Sequence, residues 1–388
     1  MQRLPRTFVV FISVAVSIVF AVHAYVGLRI LGPLHLPGLS EGAAWVCFVF
    51  SALLIPAGMM GRFLLPAGLA DRLAWVGLTL MGFMSFLLVG TLLRDVLWGV
   101  LATVGGLPAD ATVRAELLSL SSGTLLPVGF ALTGLGYYFA RRTPPVVEVE
   151  VRVPGLDPRL DGLSIVQISD VHVGPTIKRV RIERMVAVIA GLAPDVIAIT
   201  GDLVDGSVAA LREHTRPVGD LRARHGVFFV TGNHEYYAGA EAWIDELRSL
   251  GLTVLQNEHR VLTHEGAPFV VAGVTDFNAG RIVPSHASDP RKAAAGAPAG
   301  VFKLLLAHQP RSAFVAAEVG FDLQLSGHTH GGQFVPWNFF VPLQQPFTHS
   351  LRAMGRLQVY TSRGTGYWGP PIRLGAPSEI TRLVLRAA

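Results

Sequence analysis

The stretch DVIAITGDLVD, residues 195–205, determines how the second half of this 388-residue chain folds. Its centre, Val196–Ile199, is apolar and largely β-branched, which is typical of a buried strand. Gly201 then relieves the backbone in a tight turn, and the carboxylate of Asp202 follows immediately. The stretch therefore places a potential metal ligand directly after the end of a buried strand.

The same arrangement recurs along the chain, where polar clusters follow other short apolar runs. These clusters are Asp170-Val171-His172, Gly232-Asn233-His234-Glu235, His308 and Gly327-His328-Thr329-His330. The carboxyl ends of strands in open α/β sheets are where ligands gather, so we expect the clusters to meet. Together they offer enough oxygen and nitrogen for two divalent ions, the usual device for in-line displacement at phosphorus. The sequence thus predicts a metal-dependent phosphoesterase.

Strands and helices alternate from residue 146 onward, and consecutive strands follow later in the chain. Val146–Val153 has the alternation of a half-buried strand, whereas Arg179–Leu192 has helical spacing. This order predicts an α/β domain in which two packed sheets carry helices on their outer faces, an αββα sandwich. We assign it to residues 143–388.

The first 142 residues have a different composition from the rest. The whole chain is 51% hydrophobic and only 15% charged, with a mean hydropathy of +0.47, which is too apolar for an ordinary soluble protein. The excess lies in four stretches long enough to cross a bilayer, which takes about 20 residues. They are Phe8–Leu28, Ala43–Met60, Ala74–Leu93 and Leu117–Ala140. We therefore predict a transmembrane region of four helices in residues 1–142.

Arginines in the short loops favour one orientation in the membrane. With the N-terminus inside, the inner side carries Arg3, Arg6, Arg62, Arg72, Arg141 and Arg142, and the outer side carries Arg29, Arg94 and Arg114. This bias predicts an integral plasma (inner) membrane protein whose catalytic domain is cytoplasmic. The alternative that the first span is a signal peptide, cleaved near Val22-His23-Ala24, leaves the later spans in the same direction.

Arg94 and Asp95 precede another apolar run, Val96–Leu107. We expect a charge pair in a loop with an interfacial segment behind it. The alternative is an ion pair inside the helix bundle or a re-entrant segment.

The formal net charge of +5 fits contact with anionic lipid headgroups or a phosphorylated substrate. No nucleic-acid partner is expected, because the chain has no block of five or six basic residues. Cys47 is the one cysteine, so no intramolecular disulfide forms and no thiolate metal site is expected.

The clusters, with Gly327–Gln333, Ser362–Gly364 and Pro377–Ile380, resemble the calcineurin-like metallophosphoesterase family over roughly residues 145–388. The late segments are similar to the branch often called YkuE- or YaeI-like. With four spans in front, the whole chain resembles the transmembrane members of that branch.

The resemblance implies three ligands for each ion: Asp170, His172 and His330 for the first, and Asn233, His308 and His328 for the second. It also implies that Asp202 bridges both ions, one carboxylate oxygen on each. A hydroxide held between the ions would attack phosphorus. The ligands are hard oxygens and imidazoles, which allow manganese, iron or zinc.

Catalytic roles follow from the same resemblance. His234 would contact the phosphoryl oxygen or protonate the leaving oxygen, and Asp205 would orient it. Arg363 is a candidate for binding a substrate phosphate, with an ordinary structural arginine as the alternative.

The segment Phe334–Phe347 is rich in aromatic residues and proline. We expect a loop folded over the core. The alternative is an exposed apolar patch, which would suit a lipid substrate or the membrane. The first hypothesis is accordingly a membrane-anchored phosphoesterase for a phosphorylated or nucleotide-linked lipid. A non-catalytic membrane scaffold with a phosphatase-like domain is the rival, and a transporter with a fused phosphatase is a third.

Overall fold

The computed structural model describes residues 6–388, and in that range all side chains except those of residues 6–9, 11 and 63. Arg3, counted above for orientation, lies outside the described residues. The chain divides into two compact units. Among the described residues, one comprises 6–138 with 369–372, and the other comprises 139–368 with 373–388.

The first unit confirms the four apolar helices predicted before the α/β domain. Within residues 6–388, four helices are long and apolar enough to span a membrane. They are α1 (Arg6–Leu31), α2 (Gly38–Leu64), α3 (Ala67–Thr103) and α4 (Ala111–Arg141). Each is longer than its predicted span, because hydropathy marks the apolar centre of a helix and because α3 continues past Arg94.

Helices α2 and α3 approach each other closely at two glycines. A Cβ atom on Gly58 would lie 2.6 Å from the Leu73 carbonyl oxygen, and one on Gly77 would lie 2.4 Å from the Leu54 carbonyl oxygen. Small residues allow membrane helices to pack backbone against backbone, where van der Waals contact and not hydrophobicity drives association.

The predicted loop at Arg94 is wrong, since α3 continues through it to Thr103. The Arg94 side chain is buried, and it donates to Ser122 Oγ at 2.5 Å and to Asp95 Oδ1 at 2.8 Å. Asp95 also accepts from Tyr25 and Arg29, both at 2.7 Å. The alternative of an ion pair inside the bundle is therefore the one observed.

The second unit contains two six-stranded sheets in the described part of the chain, which confirms the predicted two-sheet α/β fold. The strands are β1 (Val146–Val153), β2 (Ser164–Ile168), β3 (Val196–Ile199), β4 (Val227–Phe229), β5 (Thr253–Val254), β6 (Glu258–His264), β7 (Ala267–Gly273), β8 (Phe302–Leu306), β9 (Leu323–Ser326), β10 (Ser350–Met354), β11 (Leu357–Thr361) and β12 (Ile380–Ala387). The helices are α5 (Arg179–Ala190), α6 (Val208–Thr215), α7 (Asn233–Ala238), α8 (Ala240–Ser249), α9 (Pro290–Ala294) and α10 (Ala313–Val319).

The first sheet has the order β1-β12-β2-β3-β4-β5, and the second has the order β10-β11-β9-β8-β7-β6. Strands β2 to β5 run parallel to one another, as do β7, β8, β9 and β11. Fully buried side chains from both sheets, such as Phe228 and Leu304, form one core between them. The ligand clusters follow β2, β3, β4, β8 and β9, so parallel pairing brings them to common edges.

Candidate metal centre

The turns after β2 and β9 bring three predicted ligands of the first ion together. His172 Nε2 lies 3.1 Å from His330 Nε2, and His330 Nε2 lies 3.4 Å from Asp170 Oδ1. All three residues are buried. Asp170 is held in place because both of its oxygens accept the backbone N–H of His328 at 3.0 Å.

The predicted ligands of the second ion form a matching group. His308 Nε2 lies 3.2 Å from both the Asn233 Oδ1 atom and the His328 Nδ1 atom. The other nitrogen of His308, Nδ1, donates to the Thr200 carbonyl oxygen at 2.7 Å. That bond leaves Nε2 unprotonated and free to act as a ligand when the imidazole is neutral.

Asp202 lies between the two groups, although its geometry differs from the expected one. Its Oδ2 atom is 3.1 Å from His308 Nε2 and 4.0 Å from His172 Nε2. Its Oδ1 atom instead accepts the backbone N–H of His234 at 2.8 Å. The expectation that each oxygen faces one ion is therefore wrong, because a single oxygen faces both groups.

The backbone at the ligands is in an unusual conformation. Asp170, His172, Asp202, His328 and His330 all have φ between 51° and 70°. Few residues other than glycine adopt this left-handed region, and holding one there costs about 1–3 kcal/mol. Such strain persists only where the surroundings impose it, so its concentration at five predicted ligands marks a functional site.

Three carboxyl groups are buried here side by side, those of Asp170, Asp202 and Glu235, and none is more than 2% exposed. Burial raises the pKa of Asp170, and burial with the nearby charge of Asp202 raises the pKa of Glu235 to about 7. Burial would also raise the pKa of Asp202, but the charge and hydrogen bond of His308 hold it well below its usual range. Cations bound at this point would offset the electrostatic repulsion between these carboxylates.

The donor set fits divalent ions. Metal–ligand bonds of about 2.0–2.2 Å place neighbouring ligand atoms roughly 3.0–3.5 Å apart, and the separations within each group are close to this range. The donors are carboxylate, amide and imidazole, which suit borderline divalent metals. The residues can therefore hold a metal without rearrangement of the strands that carry them.

His234 stands beside the ligands with its ring fixed by Asp205. Its Nδ1 atom lies 2.6 Å from Asp205 Oδ1, and the same oxygen is 2.9 Å from His172 Nδ1. Burial lowers the pKa of His234, but the hydrogen bond to Asp205 and the charge of Asp202 outweigh it and raise the pKa to about 9. Asp205 and Asp202 thus favour the protonated form of His234, which is the form that a general acid needs.

Sequence reasoning missed two buried residues that support the centre. Glu235 accepts the backbone N–H groups of Asp202, Leu203, Val204 and Gly232, which fixes the turn that carries Asp202. Arg373, 1% exposed, donates to His330 Nδ1 at 2.9 Å and to the His330 carbonyl oxygen. Glu235 directly follows His234 in one of the predicted clusters, so its role could have been predicted from the sequence. The residues around Arg373 in the sequence give no indication of its contact with His330.

Arg363 lies near the centre but is already paired. Its Nη1 atom donates to Glu379 Oε2 at 3.1 Å, and its backbone N–H donates to Glu379 Oε1. Its side chain is 28% exposed. The predicted contact with a substrate phosphate therefore stays a prediction, and it requires the guanidinium to share its donors with Glu379.

Known proteins that are similar to this chain are described as metallophosphoesterases or as carrying that domain. The profile of the calcineurin-like phosphoesterase family matches residues 163–332. A transmembrane protein with metallophosphoesterase domain from Danio rerio is 38% identical over 288 residues, 72% of this chain and 64% of that protein. The chain thus spans slightly less than two thirds of that relative.

Bacterial relatives are also similar. An uncharacterized metallophosphoesterase of Campylobacter jejuni is 33% identical, with 76% of this chain and 77% of that protein aligned. The uncharacterized metallophosphoesterase YkuE of Bacillus subtilis is 28% identical, with 68% of this chain and 94% of that protein aligned. The aligned part of YkuE is nearly its whole length.

Replacing Gly232 with alanine should disrupt the centre. A Cβ atom there would lie 2.2 Å from Asp202 Oδ1, so Gly232→Ala must displace the carboxylate between the two groups. We expect manganese to bind at least tenfold more weakly, measured by equilibrium dialysis with elemental analysis. Gly191→Ala is the matched control, because its Cβ would meet nothing closer than 3.4 Å and its φ is −67°. If both variants bound manganese with equal affinity, the prediction that the centre requires glycine at position 232 would be wrong.

Proposed function

Because the chain belongs to the calcineurin-like metallophosphoesterase family, we propose that it is a membrane-anchored phosphoesterase that uses two divalent ions. The proposed reaction is hydrolysis of a phosphomonoester, phosphodiester or pyrophosphate bond. One observation carries this proposal, namely two groups of ligand atoms arranged around the single Oδ2 atom of Asp202. Paired metals are the usual means of stabilising attack and departure at phosphorus.

In this proposal each group of neighbouring ligand atoms binds one ion, and Asp202 binds both. The ligands are Asp170, His172 and His330 for one ion, and Asn233, His308 and His328 for the other. Bound divalent ions supply an activated water and positive charge for the phosphoryl oxygens. Manganese, iron and zinc all suit the mixture of oxygen and imidazole donors.

His234 would provide the proton that the leaving oxygen needs. Since Asp205 holds Nδ1, the Nε2 atom is the one available to a substrate. Asp205 also holds His172, so one carboxylate orients both a metal ligand and the general acid. This shared anchor would keep the proton donor at a constant distance from the metals.

The membrane assignment is supported by the four apolar helices and by relatives described as transmembrane proteins. We propose further that the membrane is the plasma (inner) membrane and that the second unit faces the cytoplasm. The excess of arginine on the inner side supports this orientation.

We also propose that the substrate is a phosphorylated lipid or a nucleotide-linked lipid. Two exposed aromatic side chains flank the proton donor, since the rings of Tyr237 and Trp368 lie 5.4 and 5.7 Å from the His234 ring. Tyr237 is 70% exposed and Trp368 is 55% exposed. A leaving group with an apolar chain would cover both of these surfaces.

The segment 335–343 is a second exposed apolar surface. It exposes Phe339, Phe340 and Leu343 to 70%, 53% and 82%, and so is not folded over the core. Gln333 ties the start of this segment to Trp368, because the two residues exchange two hydrogen bonds at 2.8 and 2.9 Å. Contiguous exposed apolar residues beside a polar site favour lipid over a soluble phosphoester.

The catalytic proposal predicts turnover that depends on Asp202. The purified full chain in detergent micelles with manganese should hydrolyse p-nitrophenyl phosphate or bis(p-nitrophenyl) phosphate. Asp202→Asn should lower kcat at least 1000-fold, because it removes the anionic ligand shared by both groups. Asp220→Asn, at an exposed carboxylate, should keep wild-type activity. Equal activity in wild type and Asp202→Asn, or a folded, metal-loaded chain inactive on both substrates, would favour the scaffold alternative.

The role of His234 predicts a dependence on the leaving group. His234→Gln should lower kcat by about 10²–10⁴ for alkyl phosphates, whose leaving oxygens need a proton. The loss should be at least tenfold smaller for p-nitrophenyl phosphate, because p-nitrophenolate leaves without one. Manganese content should stay at the wild-type level. A loss of the same size for both substrates would contradict proton donation.

If the substrate is a lipid, the exposed segment should be needed for the hydrolysis of lipid substrates and not for the hydrolysis of soluble ones. Phe339→Ser/Leu343→Ser should lower kcat/KM for a phosphatidic acid in vesicles at least tenfold, since each apolar side chain contributes about 1.5–3 kcal/mol when buried. Hydrolysis of p-nitrophenyl phosphate should not change. Val180→Ser/Val261→Ser, at residues 58% and 48% exposed on other elements, is the control. An equal effect on both substrates, or none, would argue against a lipid.

A further inference from the structure

A second cluster of ligand-type side chains lies outside the centre described above, and it consists of Asp195, His225 and His264. Asp195 directly precedes β3, the strand that Asp202 follows, so the two sites are at opposite ends of one strand. We propose that these three side chains bind a zinc ion that joins the two sheets. This site is independent of the proposed hydrolysis.

The three ligand atoms converge on a single point. His225 Nε2 lies 3.0 Å from His264 Nδ1, and His264 Nδ1 lies 3.8 Å from Asp195 Oδ1. Together the three atoms lie within 4.8 Å of one another. The separation of the two imidazole nitrogens matches the 3.1 and 3.2 Å between imidazole nitrogens in that centre.

The carboxylate is oriented for this role by neighbours that bind only one of its oxygens. Asp195 Oδ2 accepts from the Ser164 backbone N–H at 2.9 Å and from Ser164 Oγ at 2.8 Å. These two bonds fix the group and turn Oδ1 toward the histidines. A fixed carboxylate with one oxygen held and the other directed at imidazoles is the arrangement that orients ligands in metal sites.

The positions of the two histidines are fixed by a backbone hydrogen bond and a ring contact at His225 and by a tight turn after His264. The His225 N–H donates to the Asp195 carbonyl oxygen at 2.7 Å, and its ring packs on Phe269 with centroids 5.4 Å apart. His264 ends β6 at a two-residue hairpin, in which Glu265 and Gly266 have φ of 50° and 82°. Positive φ at both positions is typical of the tightest hairpin turn, which leaves His264 little freedom.

The charges and donors select the kind of metal. Two imidazoles and one carboxylate suit zinc, whereas calcium and magnesium prefer sites built wholly from oxygen. In a tetrahedral zinc site neighbouring ligand atoms are roughly 3.3–3.5 Å apart, between the two separations found here. The Asp195 side chain is 20% exposed, which leaves a side from which water can complete the coordination.

The position of the cluster suggests what the metal does. Asp195 and His225 precede strands of the first sheet, and His264 belongs to β6, the edge strand of the second sheet. An ion pair at 2.6 Å between Arg224 and Glu265 already links the same two segments, but its side chains are 52% and 57% exposed. Exposed pairs contribute little, so zinc would be the stronger link between the sheets at this end.

The first test measures zinc bound per chain by elemental analysis, after equilibrium dialysis of the full chain in detergent against low-micromolar zinc. Asp195→Asn and His264→Gln should each hold one zinc fewer per chain than wild type. His259→Gln, on the same strand as His264, should not change the zinc content and serves as the control. Wild-type zinc content in both cluster variants would overturn the proposal.

The second test needs no variant and locates the metal directly. Diethyl pyrocarbonate should modify His225 in the metal-free wild-type chain, and zinc should reduce this modification at least fivefold, measured by peptide mass spectrometry. His259 provides the internal reference, since its ring bonds only a carbonyl oxygen, that of Ala293, among the described contacts. Unchanged labelling of His225 with zinc would overturn the site even if the cluster variants fail to fold.

Discussion

The metal centre depends on a few glycines, because a side chain at these positions would collide with neighbouring residues of the site. A Cβ atom on Gly327 would lie 2.0 Å from Ser169 Oγ, and one on Gly366 would lie 2.1 Å from the Val171 carbonyl oxygen. A Cβ atom on Gly201 would lie 2.6 Å from the backbone nitrogen of Gly232, so the turns that carry Asp202 and Asn233 touch backbone to backbone. Because they touch, two sheets can bring seven predicted ligand residues together, and the left-handed conformations of five of them are held by their neighbours.

The part of the site that is local in sequence could be predicted, and the part that depends on distant contacts could not. A strand followed by Gly201-Asp202, or by Gly327-His328, is visible in a few consecutive residues. Arg373 supports His330 from 43 positions away, and Trp368 reaches His234 across a larger distance along the chain. Nothing in the neighbouring residues of Arg373 or Trp368 reports such contacts, because they result from how the strands are ordered.

The membrane unit shows the same division. Apolar length was sufficient to predict the four helices that the structure contains among its described residues. It was misleading at Arg94 and Asp95, where charges were taken to end a helix. In the structure these charges are compensated by Arg29, Tyr25 and Ser122, up to 70 positions away. Polar side chains within an apolar bundle are tolerated when they satisfy one another, so they do not have to mark a boundary.

The position of β12 has a consequence for biosynthesis. This strand lies between β1 and β2, although it is the last strand of the unit in sequence. While the ribosome adds roughly 5–20 residues per second, β1 has no partner in its sheet for more than ten seconds after it emerges. During that interval an unpaired strand edge with alternating apolar and charged residues is exposed just after the fourth membrane helix. Nascent chains of this protein should therefore depend on chaperones that shield such edges until translation passes Ile380–Ala387.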